Sequence, residues 1–197
     1  MTLSADNSPT NICIVGASGL IGVRHTLYCL SSPLVNLTCI VDPAPAGAEL
    51  AAKHKLTYFS DVDEMLVAQG AGNVLVEGVI LATPNATHVP LGIKVVKAGI
   101  HALVEKPMSV TIESGRSLIA EAKKPGCGKI LVGHHRRFNT YAFEAKKMID
   151  EGKLGRVLAI QGTWTLLKPP SYFLPTNILA KGACKWRYDS HQPRTRA

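Results

Sequence analysis

Residues 78–107, GVILATPNATHVPLGIKVVKAGIHALVEKP, decide the fold of this chain because they contain one complete strand–helix–strand unit. The run at 79–82 is short, apolar and rich in β-forming residues, as is typical of a buried parallel strand. Pro84 ends this strand, since proline has no backbone N–H to donate. A helix is predicted from about Thr87 and a second buried strand over His101–Val104, so the unit predicts a parallel sheet.

Glu105-Lys106-Pro107 follows the second of these strands directly. The carboxyl ends of parallel strands form the edge at which open α/β sheets bind ligands. Lys106 is therefore predicted to stand at a ligand-binding edge, although a structural surface lysine is the alternative. We expect functional residues from elsewhere in the chain to gather at the same edge.

The first 133 residues alternate strand and helix throughout. Strands are predicted at 11–15, 37–41, 58–59, 74–82, 101–104 and 130–132, and helices at 23–30, 44–55, 61–68, 87–98 and 110–124. This alternation predicts an α/β fold, a Rossmann-type doubly wound parallel sheet, over residues 10–133. Residues 1–9 are predicted to form a flexible tail.

A glycine-rich turn, GASGLIG at 16–22, connects the first predicted strand to the first helix. Glycine lets a backbone turn tightly and approach a pyrophosphate, and a helix N-terminus offers free N–H groups to an anion. The spacing is GxxGxxG and not the commoner GxGxxG, so a glycine-rich turn without a ligand is the alternative. The strand–turn–helix context favours a dinucleotide-binding turn.

Asp42 ends the second predicted strand, twenty residues after Gly22. A carboxylate at this place can accept hydrogen bonds from the hydroxyls of the adenosine ribose, and it would repel a 2′-phosphate. The position therefore favours NAD slightly over NADP. Two alternatives stay open: Asp42-Pro43 simply opens a turn, or a nearby cation such as Arg24 holds a phosphate.

Charge and composition exclude several classes of function. The net charge of +8 lies entirely in residues 130–197, where twelve Lys and Arg accompany four Asp and Glu. These charges are scattered without an aromatic-interleaved signature, so no nucleic-acid partner is predicted. No apolar run reaches the roughly 18 residues of a membrane span. The five cysteines show no CxxC spacing and the N-terminus no signal pattern, which together predict a reducing, cytoplasmic location.

His134-His135-Arg136-Arg137-Phe138 follows the last predicted strand of the parallel sheet. Adjacent histidines on an extended segment point to opposite sides, and no acidic residue or cysteine is nearby, so no metal site is predicted. Arginines at this edge can pair with phosphate or carboxylate groups, and an exposed arginine pair without a ligand is the alternative.

The period of the sequence changes in its last third. An amphipathic helix is predicted at 139–151, with Tyr141, Ala145, Met148 and Ile149 facing inward. Apolar and polar residues then alternate over 157–167, which predicts a half-buried strand of an antiparallel sheet. We interpret residues 134–197 as an incomplete α/β domain that contains the start of this sheet.

The ordered motifs resemble those of the Gfo/Idh/MocA oxidoreductases over roughly residues 11–168: GASGLIG at 16–22, VDP at 41–43, ATPNATH at 82–88, KAGIHALVEKP at 97–107, GHHRRF at 133–138 and EGKLGRV at 151–157. The resemblance implies a nucleotide-binding domain followed by an α/β domain on a large open sheet. It also implies hydride transfer between NAD or NADP and a small hydroxy or carbonyl compound such as a sugar, a polyol or a dihydrodiol. A homo-oligomer is implied where the C-terminal sheet is complete.

The resemblance assigns a role to each matching position. The glycine-rich turn would hold the cofactor pyrophosphate, Glu105 would lie beside the nicotinamide, and Lys106 would be the catalytic residue facing the reacting oxygen. It further implies a cis Lys106–Pro107 peptide bond. The implied cofactor-binding residues are Gly16, Ala17, Ser18, Gly19, Leu20, Ile21, Asp42, Thr83, Pro84, Asn85, His88, Glu105, Lys106 and Arg136, and the implied substrate-binding residues are Lys106 and His135.

The chain departs from the family pattern at its C-terminal end. Family members continue into a Gly-rich segment and then an Asp and a His that complete the catalytic site. Asp189 and His191 are too close together to match that pair. We therefore expect a truncated oxidoreductase, and the alternative is a non-catalytic dinucleotide-binding protein that senses cofactor or pairs with a full-length homologue.

Overall fold

The computed structural model of the chain describes residues 8–163 together with residues 165 and 167. Its strands are β1 Thr10–Val15, β2 Val35–Val41, β3 Thr57–Phe59, β4 Gly78–Leu81, β5 His101–Val104 and β6 Ile130–Val132. Its α-helices are α1 Leu20–Ser31, α2 Pro45–His54, α3 Val62–Gly70, α4 His88–Lys97, α5 Ile112–Ala122 and α6 Thr140–Asp150, with 3₁₀ turns at Asn85–Thr87 and His135–Phe138.

The six strands form one parallel sheet in the order β3-β2-β1-β4-β5-β6. Strands β1, β2 and β3 are added in turn toward one edge of the sheet. The chain then crosses to the other side of β1, where β4, β5 and β6 are added toward the opposite edge. This is the doubly wound Rossmann arrangement, so the predicted fold class is confirmed. The reversal of strand order between β1 and β4 leaves a crevice at their carboxyl ends, where such sheets bind ligands.

Helices cover both faces of the sheet because successive residues of the central strands point to opposite sides. Val79 and Leu81 of β4 pack with residues of α3, α4 and α5 on one face. Ile80 of the same strand packs with residues of α1 and α2 on the other. Cys13 and Cys39 are buried free thiols in β1 and β2. Burial on both faces explains why the central strands are continuous apolar runs.

The strand predicted at 74–82 is shorter in the structure. Val74 and Val76 are buried, as their apolar character predicted, but β4 begins only at Gly78. The backbone N–H of Val76 donates to the side-chain carbonyl of Gln69 (2.7 Å), so at Val76 the backbone N–H is bonded to a side chain and not to a neighbouring strand.

The C-terminal part of the described chain differs from the prediction in two ways. Helix α6 forms as predicted, but the side chains predicted to face inward are exposed: Tyr141 at 83%, Met148 at 41% and Ile149 at 37%, with Ala145 exposed as well. Residues 157–163 form no strand and are exposed. A strand needs a neighbour for its N–H and C=O groups, and no described segment supplies one here.

The rest of the predicted second domain, including Trp164, Leu166 and residues 168–197, lies outside the described residues. The division of the chain at residue 133 therefore stays a prediction. Among the residues described, no helix has the length and apolar character needed to cross a membrane.

Candidate functional site

The glycine-rich turn lies against the carboxyl end of β4. Gly16 has φ +81°, and a Cβ atom placed on it would lie 2.9 Å from the carbonyl oxygen of Ala82. A Cβ atom on Gly22 would lie 2.0 Å from the carbonyl oxygen of Gly16, which no side chain can tolerate. These two glycines are thus required by close approach of the backbone, and they place the start of α1 directly over the crevice beside β1.

The N-terminus of α1 keeps its backbone donors available. Helix α1 begins after Gly19, no side chain caps it, and its first turn holds no acidic residue. In contrast, α3, α5 and α6 begin at side chains that accept a backbone N–H: Asp61, Thr111 and Asn139. The first N–H groups of a helix have no partner inside the helix, so Leu20 and Ile21 can offer theirs to an anion. The turn therefore fits a pyrophosphate.

Asp42 fastens this turn to the end of β2. Its side chain is buried, and its Oδ2 accepts from the N–H of Ser18 (2.7 Å) while its Oδ1 accepts from the N–H of Ala44 (2.9 Å). The hydroxyl of Tyr58 donates to the Asp42 carbonyl oxygen (2.8 Å). Each carboxylate oxygen retains a second lone pair, so a ribose hydroxyl can still donate to Asp42. The structure thus brings Asp42 to the turn, and its contact with a ribose stays a prediction.

The loop after β4 carries the next group of predicted residues. Thr83, Pro84 and Asn85 follow the strand, and the hydroxyl of Thr87 lies 2.7 Å from that of Thr83. The resemblance implies that His88 binds the cofactor, but its side chain is buried in the structure. Its ring links two loops and has little surface to offer a ligand.

Glu105 lies at the carboxyl end of β5 in a network that the sequence did not indicate. Its Oε1 lies 2.9 Å from Nε2 of His25, and its Oε2 accepts from the backbone N–H of Lys106 (3.0 Å). The Glu105 and His25 side chains are 13% and 21% exposed. Burial raises the pKa of the Glu105 carboxyl, but the hydrogen bonds and charges of His25 and Lys106 outweigh burial and hold the pKa below its ordinary value.

His25 is the functional candidate that sequence reasoning missed. The only signal was its place three residues after Gly22, on the first turns of a helix that begins at a ligand-binding edge. Lys106 itself is exposed at that edge, and the Lys106–Pro107 peptide bond is cis, as the resemblance implied.

The end of β6 completes the same edge. Gly133 donates its N–H to the carbonyl oxygen of Val104 (2.7 Å), and a Cβ atom on Gly133 would lie 3.3 Å from Oε1 of Glu105. His135 and Arg136 follow on an exposed 3₁₀ turn. Because β5 and β6 are neighbours, these residues stand on the Lys106 side of the sheet edge. Within the described chain, no group of three or more His, Cys, Asp or Glu side chains is placed to hold a metal ion.

A family model described as "Oxidoreductase family, NAD-binding Rossmann fold" (GFO_IDH_MocA) matches residues 10–134, which is more than half of the chain. The chain belongs to the Gfo/Idh/MocA family. The family match confirms the predicted resemblance and agrees with the parallel sheet described above.

Individual members of the family show how much of such a protein the chain represents. It is 30% identical to scyllo-inositol 2-dehydrogenase (NAD(+)) of Bacillus subtilis (strain 168), covering 82% of this chain and 47% of the relative. It is 28% identical to levoglucosan dehydrogenase of Pseudarthrobacter phenanthrenivorans, covering 78% and 40%. The solved WlbA dehydrogenase from Bordetella pertussis, in complex with NADH and UDP-GlcNAcA, is 29% identical with a TM-score of 0.68, covering 76% and 42%. The chain thus spans less than half the length of these relatives.

Proposed function

We propose that this chain is the NAD(P)-binding part of an oxidoreductase that transfers hydride to or from a sugar, a polyol or a related hydroxy or carbonyl compound. The observation that carries the proposal is one shared sheet edge. There the uncapped start of α1 and the Glu105-Lys106 segment are joined by the 2.9 Å contact between His25 and Glu105. Family membership supports the same reading, since the family is described as oxidoreductases with an NAD-binding Rossmann fold.

The two ends of this edge, the glycine-rich turn with α1 and the Glu105-Lys106 segment, have different roles. The turn at residues 16–21 binds the pyrophosphate through the free backbone N–H groups at the start of α1, those of Leu20 and Ile21, and Asp42 accepts from the adenosine ribose. Thr83, Pro84 and Asn85 line the path between the two ends. The nicotinamide, when bound, supplies the hydride chemistry, and the protein's part is to place the substrate and manage its proton.

Lys106 is the residue that acts on the substrate. Its ammonium group can donate a hydrogen bond to the substrate oxygen and stabilise the negative charge that develops there as the C–H bond forms or breaks. His135, at the end of the neighbouring strand, helps to orient the substrate, and Arg136 beside it contacts the cofactor. We propose a small-molecule substrate in the cytoplasm, and NAD as the slightly preferred cofactor because the Asp42 carboxylate would repel a 2′-phosphate.

A second function is non-catalytic binding of the dinucleotide. The glycine-rich turn, the uncapped start of α1 and the buried Asp42 carboxylate lie at the cofactor end of the edge, and none of them involves Lys106. A cofactor sensor, or a chain that pairs with a full-length homologue, needs only this end of the edge.

Two measurements on the purified chain separate these functions. NADH and NADPH binding is followed by nucleotide fluorescence, and turnover is followed at the nicotinamide absorbance with inositols, levoglucosan and other polyols. Turnover that disappears in Lys106→Ala while NADH affinity is kept supports the oxidoreductase. Nucleotide binding without turnover on any substrate supports the second function. Failure to bind either nucleotide would contradict both.

A further inference from the structure

The roles proposed above use the contact between His25 and Glu105 only as a link between the two ends of the edge. The Glu105 carboxylate has two hydrogen-bonding partners at the sheet edge and lies in space that a glycine leaves open. His25 Nε2 lies 2.9 Å from Oε1, the N–H of Lys106 lies 3.0 Å from Oε2, and the bare Cα of Gly133 leaves room for the carboxylate where a Cβ atom would lie 3.3 Å away. His25 on α1 and the Lys106 N–H after β5 thus hold one carboxylate, and Gly133 after β6 leaves room for it.

This carboxylate carries a negative charge at neutral pH. Burial opposes ionisation, but the contacts of Glu105 with His25 and Lys106 hold its pKa below that of an ordinary glutamate. Only 13% of the side chain is exposed, so water screens the charge less than it screens a surface carboxylate. A fixed, weakly screened charge acts strongly on another charge that binds next to it.

We propose that His25 is a positioning residue that fixes the Glu105 carboxylate so that this edge prefers the oxidised cofactor to the reduced one. The inference rests on the proposed function and on the place beside the nicotinamide that the family resemblance implies for Glu105. The nicotinamide ring is cationic when oxidised and neutral when reduced. A fixed carboxylate attracts the cationic ring and does little for the neutral one, so it lowers the dissociation constant for NAD⁺ relative to that for NADH.

The contacts of Glu105 also define what His25 contributes. Without the Nε2 donor, Oε1 would lose its partner on α1, and the carboxylate would be held only by the neighbouring Lys106 N–H. It could then rotate or take up a proton more easily, and either change weakens its action on the ring. The effect of His25 therefore passes through Glu105.

The test is the ratio of the dissociation constants for NAD⁺ and NADH, measured by calorimetry on the full chain. Glu105→Gln keeps the shape of the side chain and removes its charge. We expect this variant to raise the ratio by about tenfold, the scale of one partly screened charge–charge interaction. His25→Leu should also raise the ratio, by a smaller factor. His25→Gln keeps an N–H donor, so its ratio should lie close to that of the wild type.

A matched control lies on the same helix. Leu27 is 53% exposed on α1, so Leu27→Ala should leave both dissociation constants unchanged. In the protein without nucleotide, a ¹³C NMR titration of the Glu105 carboxyl should show a higher pKa in His25→Leu than in the wild type, and His25→Gln should stay close to the wild type.

The outcomes distinguish this inference from the function on which it rests. If the wild type binds neither NAD⁺ nor NADH, the proposed function fails. If it binds both and Glu105→Gln leaves their ratio unchanged, the inference alone is overturned. If His25→Leu weakened the binding of NAD⁺ and NADH equally, and His25→Gln did not restore that binding, His25 would have only a structural role. Where His25→Leu does not fold, His25→Ala tests the role of His25 in its place, and Glu105→Gln tests the charge effect of Glu105 independently.

Discussion

Nδ1 of His88 lies 2.9 Å from the carbonyl oxygen of Pro107, and this contact fastens the segment after β5 to the first turn of α4. The other ring nitrogen, Nε2, lies 2.8 Å from the carbonyl oxygen of Thr83 in the loop after β4. His88 is only 1% exposed, so its ring is shielded from solvent between the two loops. One imidazole therefore joins the two loops that carry the predicted nicotinamide side of the site.

Replacing His88 should destabilise the protein through these two carbonyl groups. We expect His88→Leu to lower the free energy of unfolding by about 2 kcal/mol, because it removes both polar contacts of the ring and an intramolecular hydrogen bond contributes about 0.5–1.5 kcal/mol. Urea denaturation of the purified chain measures the change. His54, partly exposed on α2, supplies the control, and His54→Leu should change the free energy of unfolding by less than about 0.5 kcal/mol. Equal, small losses in both variants would contradict the linking role of His88.

The glycine-rich turn gives a second prediction, at Gly22. A Cβ atom there would meet the carbonyl oxygen of Gly16 at 2.0 Å, so Gly22→Ala must displace the turn or the start of α1. We expect a loss of about 2 kcal/mol in the free energy of unfolding, within the range for overpacked sites, together with weaker NADH binding.

Gly70, at the end of α3, is the matched control for Gly22→Ala. A Cβ atom on Gly70 would meet nothing within 4 Å. Gly70→Ala should leave NADH binding unchanged. The free energy of unfolding should stay the same or rise by up to about 1 kcal/mol, because alanine has a higher helix propensity than glycine. Unchanged NADH affinity and stability in Gly22→Ala would show that the turn does not depend on that close approach.

Asp42 offers a third prediction, on the choice of nucleotide. Asp42→Asn removes the charge that would repel a 2′-phosphate, so we expect the ratio of NADPH to NADH affinity to rise by about tenfold. The free energy of unfolding should fall by about 1 kcal/mol, because one of the N–H groups of Ser18 and Ala44 loses its carboxylate acceptor. Fluorescence titration with both nucleotides and urea denaturation measure the two effects.

The control for Asp42 is Asp63, which pairs with Lys94 on the protein surface. Asp63→Asn should change neither the nucleotide preference nor, beyond a few tenths of a kcal/mol, the stability. If Asp42→Asn weakened NADH and NADPH equally, Asp42 would keep only its role in holding the turn, and the ribose contact would be wrong.

The fold could be predicted from the sequence because its determinants are local. Each strand of the sheet is a short apolar run, and glycines or prolines mark the places where strands and helices end. The run at 78–107 gave the strand β5 with its observed ends, and the GASGLIG turn gave the position of α1 to within three residues. The same local signals located Asp42 and Lys106 at strand ends.

The contacts within the site could not be predicted because their partners are distant in sequence. His25 and Glu105 are 80 residues apart, and nothing near either residue indicates the other. His88 and Pro107 are linked through the packing of α4 against the sheet, which no periodicity shows. The apolar residues of α6 show a second limit of prediction from sequence patterns. Their helical period identifies an apolar face, but it does not show whether another part of the protein covers that face.

The contacts of Glu105 give a last prediction, on the pH dependence of stability. Its pKa in the folded protein is lower than the ordinary value of 4.5, because its hydrogen bonds and nearby charges outweigh burial. A carboxyl whose pKa is lowered on folding adds stability that is fully present above its unfolded pKa and is lost as the pH falls through its folded pKa. The stabilisation by Glu105 should therefore be complete at neutral pH and be lost as the pH falls below the ordinary glutamate pKa and through the lower pKa of the folded protein.

Urea denaturation of the wild type and Glu105→Gln between neutral pH and pH 3 measures this contribution. We expect the wild type to be more stable at neutral pH and the difference to shrink as the pH falls, since glutamine does not titrate. Glu77 also has a lowered pKa, caused mainly by hydrogen bonds from Asn11, but it is present in both proteins and cancels in the difference. A difference that stayed constant across this range would mean that the folded and unfolded states ionise Glu105 alike, and the charge assigned to it at the sheet edge would then lack support.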